Sequence, residues 1–183
     1  MDHLSDEALI ILVQKGDQHF LNEIFRRYER PLFNYFLKVT MNQDDSADLT
    51  QTTFIRVMKY VKSFDETRLF KVWLFQIARN QTKDYFRKMK VHKDQFSPVD
   101  HLPDLSGDDD SELLIERETK LFKALEKLDC DKRELIVMTK LNGLKYEQVA
   151  QIRDTSVGAI KVQVHRTIAQ LREIMFNDLT DDE

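Results

Sequence analysis

The segment from Phe70 to Lys90 carries aromatic and basic side chains at helical spacing. One side of this helix is apolar, with Phe70, Trp73 and Ile77. The side away from it presents Phe75, Gln76, Arg79, Lys83, Phe86, Arg87 and Lys90. Aromatic rings stack on nucleic-acid bases of any sequence, and cations follow the phosphate backbone. The pattern predicts a site for single-stranded DNA. Phe75 and Phe86 have a second interpretation, in which each packs under a neighbouring helix.

A second candidate surface lies on the last helix, which the periodicity predicts to begin at Val157. At about 100° per residue, one side of this helix is an apolar stripe. The opposite face has small residues near the start of the helix and basic residues further along. The stripe is formed by Ile160, Val164, Ile168, Leu171 and Met175. The opposite face holds Gly158, Ala159, Lys161, Val162, His165, Arg166, Ala169 and Arg172. Small residues permit a close approach to base edges, Lys and Arg reach phosphates or guanine, and an exposed Val can meet a thymine methyl.

The residues before this helix decide how its basic face is interpreted. A short helix from Tyr146 to Arg153 and a three-residue turn precede it, which is typical of a helix-turn-helix. On an isolated helix, the same face would more simply be solvated. Lys145 stands where a Ser, Thr or Asp cap would add about 1 kcal/mol, and the turn has no glycine. Neither departure excludes the motif.

Signatures of catalysis are missing from the sequence. There is no nucleophile elbow, no His-Glu-x-x-His, no phosphate-binding glycine loop and no Cys/His metal spacing. The five histidines are scattered, and Cys130 is the single cysteine. We therefore expect a binding protein and not an enzyme, with no metal and no cofactor.

The charge is strongly segregated along the chain. The net charge is −4, which by itself would argue against a nucleic-acid partner. Residues 65–93 nevertheless hold eight basic and three acidic residues, whereas residues 94–118 hold nine acidic residues and one basic residue. Basic clustering of this kind is the electrostatic footprint of a polyanion site.

Length and composition predict an all-α protein. The 183 residues are 42% hydrophobic, with three prolines and four glycines, which favours long helices over loop-rich β structure. We expect two small helical domains, an N-terminal helical bundle over residues 1–92 and a C-terminal helix-turn-helix domain over residues 113–183. A flexible acidic linker over residues 93–112 would join them. No apolar run approaches the roughly 20 residues of a membrane span, so we expect a cytoplasmic protein without membrane insertion.

Local signals also predict several helix boundaries. Ser5 or Asp6 caps the first helix and Gly16 ends it, while Asp17 caps the second. Pro31 is expected to break or restart the second helix. Asp131 and Glu134 resemble a capping box at the start of a C-terminal helix.

Two groups of motifs resemble bacterial RNA polymerase sigma factors of the extracytoplasmic-function class. Residues 48–54 (Asp-Leu-Thr-Gln-Thr-Thr-Phe), Phe64-Asp65, and residues 73–80 with Asp84, Tyr85 and Arg87 resemble conserved region two. Residues 143–150 (Gly-Leu-Lys-Tyr-Glu-Gln-Val-Ala), followed by residues 156–161 and His165-Arg166, resemble region four. Many regulators share the second pattern, but the ordered pair is specific.

The resemblance implies a two-domain promoter-recognition subunit. The helix with Asp48, Gln51, Thr52 and Ile55 would dock on the β′ coiled coil of core polymerase, with Thr52 replacing the family's usual acid. The minus-ten element would be held as melted strand with a flipped base, by Phe64, Asp65, Arg68, Phe75, Arg79, Asn80, Lys83 and Arg87. Region four would rest on the β flap and read the minus-thirty-five element with Ser156, Gly158, Ala159, Lys161, Val162, His165 and Arg166.

The resemblance leaves a partner and an alternative open. An anti-sigma factor is a possible further partner, and in the free protein the two domains could close on each other. The alternative function is a helix-turn-helix regulator that binds duplex operators without polymerase. Such a regulator would need a ligand-binding or phosphoacceptor domain in its first 90 or so residues, and this segment has no pattern for one.

Overall fold

The computed structural model describes residues 4–91 and 112–180, of which residues 91, 112–116 and 178–180 are described by their backbone alone. Within these ranges the secondary structure is entirely helical, which confirms the predicted all-α fold. The predicted acidic linker lies almost wholly outside the described residues. The helices are α1 (Asp6–Gln14), α2 (His19–Thr40), α3 (Gln43–Tyr60), α4 (Phe70–Val91), α5 (Glu112–Glu126), α6 (Cys130–Ile136), α7 (Tyr146–Arg153) and α8 (Val157–Thr180). A 3-10 turn (Val61–Ser63) follows α3, and a π-helical segment (Val137–Leu141) follows α6.

The first two helices begin and end largely as the sequence predicts. The Ser5 hydroxyl caps α1 by accepting a hydrogen bond from the backbone N–H of Ala8 at 3.1 Å. Gly16 follows α1 with a φ of 107°, a conformation that glycine adopts without strain. The residue preceding α2 is Gln18, which makes no side-chain capping bond. The carboxylate of Asp17, one residue further out, accepts a hydrogen bond from the backbone N–H of His19 at 3.3 Å, so Asp17 does cap the start of α2.

The predicted break at Pro31 is wrong. Helix α2 runs through this residue as a single element, although an interior proline costs about 3 kcal/mol or more. The buried residues on either side explain the continuity, because Ile24 and Tyr28 before the proline share one stripe with Leu32 and Tyr35 after it. Burying an uninterrupted stripe offsets the cost of the lost backbone hydrogen bond.

The capping box predicted at Asp131 is also wrong. The N-cap of α6 is Asp129, whose carboxylate accepts a hydrogen bond from the backbone N–H of Lys132 at 2.9 Å. Asp131 therefore lies in the first turn, and Glu134 is not available to the cap because its side chain is buried. Periodicity does not distinguish two acids two residues apart at a helix start.

The two halves of the described chain share one buried core. The residues of its hydrophobic cluster come both from α1–α4, such as Tyr35 and Phe75, and from α5–α8, such as Leu135 and Met138. Helix α2 packs on α6, and α4 packs on α7. Here α1–α4 are called the N-terminal module and α5–α8 the C-terminal module. Their mutual packing brings chemistry-bearing side chains from both modules together.

Candidate nucleic-acid interface

The helix-turn-helix has the geometry that the sequence predicts. Helix α7 spans Tyr146–Arg153 and α8 begins at Val157. The turn needs no glycine, because Asp154 itself adopts the left-handed conformation with a φ of 51°, which Asp tolerates better than most residues. Lys145 does not cap α7 with its side chain. Instead its backbone N–H donates to the side-chain oxygen of Gln148 at 2.8 Å.

The start of α8 is held by Ser156, whose hydroxyl accepts a hydrogen bond from the backbone N–H of Ala159 at 3.1 Å. Ile160 and Val164 are buried against the rest of the C-terminal module. The opposite face is open, since Gly158, Lys161, Val162, His165 and Arg166 are all exposed and Ala159 is half-buried. The structure thus brings the predicted minus-thirty-five residues together on one accessible helix face.

The outer face of α3 carries the predicted polymerase-binding residues. Asp48 and Gln51 are exposed, Thr52 is half-buried, and Ile55 is 63% exposed. The opposite side of the helix is fixed in the core by Phe54 and Val57. An apolar side chain as exposed as Ile55, one turn after a carboxamide and two turns after a carboxylate, gives this face the mixed chemistry of a protein-binding surface.

The predicted minus-ten residues fall into an exposed and a buried group. Asp65 and Arg68 lie exposed in the loop after the 3-10 turn, and Asn80, Lys83 and Arg87 lie exposed on α4. Phe64, Phe75 and Arg79 are buried. The structure thus brings together only part of the predicted set on one accessible surface.

The two phenylalanines pack as core residues in this structure. The Phe75 ring meets Tyr35 edge-on with 5.5 Å between centroids, and the Phe64 ring meets Trp73 at 5.3 Å. The second interpretation of Phe75, packing under a neighbouring helix, is therefore the one realised in this conformation. Arg79 is buried for a different reason, an ion pair with Glu134 across the interface between the modules.

A hollow with a volume of about 310 Å³ lies between α3 and α4 on the surface of the N-terminal module. It is lined by Arg56, Tyr60, Ser63, Trp73, Gln76, Ile77 and Asn80. Aromatic rings, a carboxamide and a guanidinium around one hollow suit an unstacked base, which needs stacking and hydrogen bonds to its edge. Of these residues, the sequence predicts Gln76 on the binding face of α4 and Asn80 among the minus-ten residues. The apolar character of Trp73 and Ile77 predicts that both lie in the core, whereas both are only half-buried.

Helix α1 positions the loop beside this hollow. The Gln14 side chain donates hydrogen bonds to the carbonyl oxygens of Val61, Lys62 and Phe64 at 3.1–3.2 Å. The Glu7 carboxylate accepts a hydrogen bond from the backbone N–H of Phe70 at 2.9 Å, which caps α4. Within the loop, hydrogen bonds from the backbone N–H and the hydroxyl of Thr67 lower the pKa of Asp65. The loop is thus fixed at both ends by residues that the sequence motifs do not include.

Asp84 modulates the charge of the exposed α4 surface. Its carboxylate accepts a hydrogen bond from Arg87 at 2.8 Å and lies 3.7 Å from Arg56. Exposed ion pairs of this kind contribute little stability. They hold two guanidinium groups on the rim near the hollow, where a nucleic-acid phosphate can compete for them.

The described residues give no sign of a metal site or a membrane span. Among residues 4–91 and 112–180, no three His, Cys, Asp or Glu side chains are arranged to hold a metal ion. In the same ranges, no helix is both long and apolar enough to cross a membrane.

Comparisons with known proteins match both modules. The profile for Sigma-70 region 2 matches residues 24–91, and the profile for Sigma-70, region 4 matches residues 119–171. The ECF RNA polymerase sigma-E factor of Haemophilus influenzae is 27% identical over 97% of each chain. The protein of the same name from Escherichia coli K12 is 28% identical over 90% of this chain and 91% of its own.

Solved structures show the same fold. The sigma factor RpoE of Bartonella quintana, solved with the anti-sigma factor NepR, superposes with a TM-score of 0.70 at 26% identity, over 86% of this chain and 97% of its own. CnrH, solved with the cytosolic domain of CnrY, superposes with a TM-score of 0.71 at 23% identity, over 94% of this chain and 98% of its own.

Taken with the helix-turn-helix and the region-two helices, these matches define a transcription initiation factor that binds DNA. The chain belongs to the sigma-70 family, in its extracytoplasmic-function class. It is an alternative sigma factor that acts with RNA polymerase in promoter recognition. The N-terminal match to region two removes the alternative of an ordinary helix-turn-helix regulator, because that module is not a sensory domain.

Proposed function

We propose that three surfaces of this chain divide the work of initiation. The outer face of α3 docks on core polymerase, the hollow between α3 and α4 takes the melted minus-ten strand, and the exposed face of α8 reads the minus-thirty-five element. The observation that carries this assignment is that all three surfaces are accessible and are built on rigid helices. The module boundaries follow the same division, with residues 1–92 as region two and residues 113–183 as region four.

Docking on polymerase rests on Asp48, Gln51, Thr52 and Ile55, which resemble the family's core-binding helix. The exposed Ile55 supplies apolar area, and Asp48 and Gln51 supply directed polar contacts. Thr52, where the family usually has an acid, can still donate or accept one hydrogen bond through its hydroxyl.

Promoter melting rests on the hollow between α3 and α4. Extruding a base costs a few kcal/mol, and stacking on Tyr60 or Trp73 contributes roughly 1–3 kcal/mol per base. Asn80 reaches the base edge, while Arg68, Lys83 and Arg87 follow the phosphates. Asp65 sits in the loop as an acceptor for an exocyclic amine, and Phe64 supports the loop from below. Phe75 supports α4 from the core, and Arg79 becomes available once the C-terminal module moves away.

Reading of the minus-thirty-five element rests on the N-terminal half of α8. Lys161 and Arg166 reach guanine acceptors or phosphates, Val162 meets a thymine methyl, and His165 donates to a base or a phosphate. Gly158 and Ala159 permit close approach, and Ser156 holds the helix end toward the groove. The back of the C-terminal module rests on the polymerase β flap.

The chain is a binding subunit and not itself an enzyme, because polymerase supplies the phosphodiester chemistry. It works in the cytoplasm, where polymerase and the chromosome are. The Bartonella relative was solved with an anti-sigma factor, which supports a partner of the same kind for this chain.

The docking assignment is tested by recovery of core polymerase on the immobilised full chain. The double variant Asp48→Ala with Gln51→Ala should lower recovery at least several-fold, and Ile55→Ala should add to the loss. The control is Asp44→Ala with Gln43→Ala, which removes an exposed acid and amide from the first turn of the same helix. Equal recovery by the α3-face variant and the control would refute the assignment.

A further inference from the structure

The buried side chain of Glu134 joins the two modules. Its carboxylate accepts a hydrogen bond from the hydroxyl of Tyr35 at 2.9 Å, and its other oxygen lies 3.3 Å from Nε of Arg79. Glu134 belongs to α6, whereas Tyr35 and Arg79 belong to α2 and α4. Both members of the ion pair are almost fully buried, at 3% and 8% exposure.

A buried ion pair of this kind is a weak source of stability. Removing two charges from water carries a large desolvation penalty, so apolar residues of similar volume would often hold the interface as well. Deleting one partner is costly, however, because the other charge is left buried and unpaired. Such a pair is suited to a two-state contact that is either fully made or fully separated.

Besides the shared apolar core, the interface contains hydrogen bonds to backbone carbonyl oxygens. The Arg133 guanidinium donates to the carbonyl oxygen of Val39 at 2.9 Å, and the Asn142 side chain donates to that of Pro31 at 3.2 Å. Lys71 in turn donates to the carbonyl oxygen of Asn142 at 3.0 Å. Groups that bond to carbonyl oxygens can exchange those partners for water when the modules separate, so among the polar contacts across the interface the charge of Glu134 has the largest consequence for opening.

We propose that Glu134 is an intramolecular competitor of promoter DNA, which holds the C-terminal module on the N-terminal module by occupying Arg79. A carboxylate here takes the place that a strand phosphate would take on the same guanidinium. The closed chain keeps Lys161 and Arg166 exposed, so closure removes Arg79 from the minus-ten surface and leaves the α8 face open. This inference rests on the proposed role of Arg79 in binding the melted strand.

Glu134 is also attracted by a cation of its own module. Arg153 of α7 already attracts Glu134 electrostatically, although its guanidinium now donates to the backbone and side chain of Asp131 at 3.2 and 3.5 Å. Because Arg153 and Glu134 belong to the same module, this attraction does not depend on contact between the modules. The free energy of opening is lowered accordingly, and promoter DNA or polymerase has to supply only the remainder.

The closed state is measured by crosslinking in the full chain. Lys90 and the native Cys130 line the same hollow between α4 and α6, so Lys90→Cys with a short bismaleimide reports closure. Glu134→Gln in this background should lower the crosslinking rate several-fold, because Arg79 loses its counter-charge. Glu126→Gln, an exposed acid of the same module, is the control and should leave the rate unchanged.

DNA competition is measured with a fluorescent single-stranded minus-ten oligonucleotide. Glu134→Gln should bind it about tenfold more tightly, since apparent affinity scales with the open fraction, and the crosslinked chain should bind it more weakly than the chain without the crosslink. An unchanged crosslinking rate in Glu134→Gln, with helical circular dichroism intact, overturns the proposal. If that variant loses its circular dichroism, Tyr35→Phe replaces it, and an unchanged rate overturns the proposal there too. If Glu134→Gln lowers the crosslinking rate but leaves the oligonucleotide affinity unchanged, Arg79 does not bind the strand and Glu134 does not compete with DNA. The Glu134 contact between the modules stands in that case.

Discussion

Gln14 of α1 donates a hydrogen bond to the carbonyl oxygen of Phe64 at 3.1 Å, across fifty residues of sequence. The same side-chain amide also reaches the carbonyl oxygens of Val61 and Lys62. One residue outside both sigma-factor motifs thus fixes the path of the loop that carries Asp65 and Arg68. The loop is therefore a preformed part of the proposed strand-binding surface.

Replacing Gln14 should loosen this loop. Gln14→Ala removes three hydrogen bonds to carbonyl oxygens, two of which share one hydrogen because the side-chain amide has only two. It should lower the free energy of unfolding by about 1–2 kcal/mol. Urea denaturation of the full chain measures this. The matched control is Gln18→Ala, an exposed glutamine without a capping bond. Equal loss in both variants would contradict the positioning role of Gln14.

Asp129 should stabilise α6, whereas Asp131 should not. Asp129→Ala removes the N-cap and should cost about 1 kcal/mol, while Asp131→Ala should change stability by less than about 0.5 kcal/mol. Partial burial opposes ionisation of Asp129, but the backbone N–H and the ammonium of Lys132 outweigh it and lower its pKa. The stabilisation is therefore complete above the unfolded-state pKa and is lost as pH falls through the folded-state pKa. Urea titrations at neutral and acidic pH test both statements, and a larger loss for Asp131→Ala would reverse the assignment.

The hollow between α3 and α4 should bind a base through Tyr60. Tyr60→Ala removes a ring that is 46% exposed, so the fold should tolerate it, and should weaken binding of a single-stranded minus-ten oligonucleotide by roughly 1–3 kcal/mol. Fluorescence anisotropy measures the affinity. Phe176→Ala, at 67% exposure on α8, is the control. If both variants bind like the parent chain, the base does not stack there.

The face of α8 should govern duplex binding. Arg166→Ala should weaken binding to a minus-thirty-five duplex by about 1–3 kcal/mol if it reads a base, and should reduce the salt slope by about 1 if it contacts a phosphate. A salt series of anisotropy titrations separates the two roles. Arg117→Ala removes the same charge from α5 and serves as the control. Parent-like affinity and salt slope in Arg166→Ala would exclude this residue from the interface.

The helix-turn-helix could be predicted from sequence because its signals are local. Val157 begins α8 as the periodicity predicts, and Ile160 and Val164 are buried as their stripe requires. The missing glycine in the turn was no obstacle, since Asp154 takes the left-handed conformation. The exposed faces of α3 and α8 follow from the same helical period.

The burial of Phe75 and Arg79 could not be predicted from local signals. Both lie on the side of α4 that becomes buried against other parts of the fold, and Arg79 meets Glu134 across 55 positions of sequence. A local pattern cannot reveal which of two amphipathic faces another module covers. Likewise, Trp73 looks like a core residue by type, and only the arrangement of α3 beside α4 exposes part of its ring to the hollow.

Permanganate footprinting of a promoter by core polymerase with the full chain tests the central claim most directly. We expect thymines of the minus-ten element to become reactive with the parent chain and to react less with Tyr60→Ala, while protection of the minus-thirty-five duplex persists. Protection of both elements without any reactive thymine would contradict a melted-strand site between α3 and α4. Equal reactivity for the parent chain and Tyr60→Ala would contradict it as well.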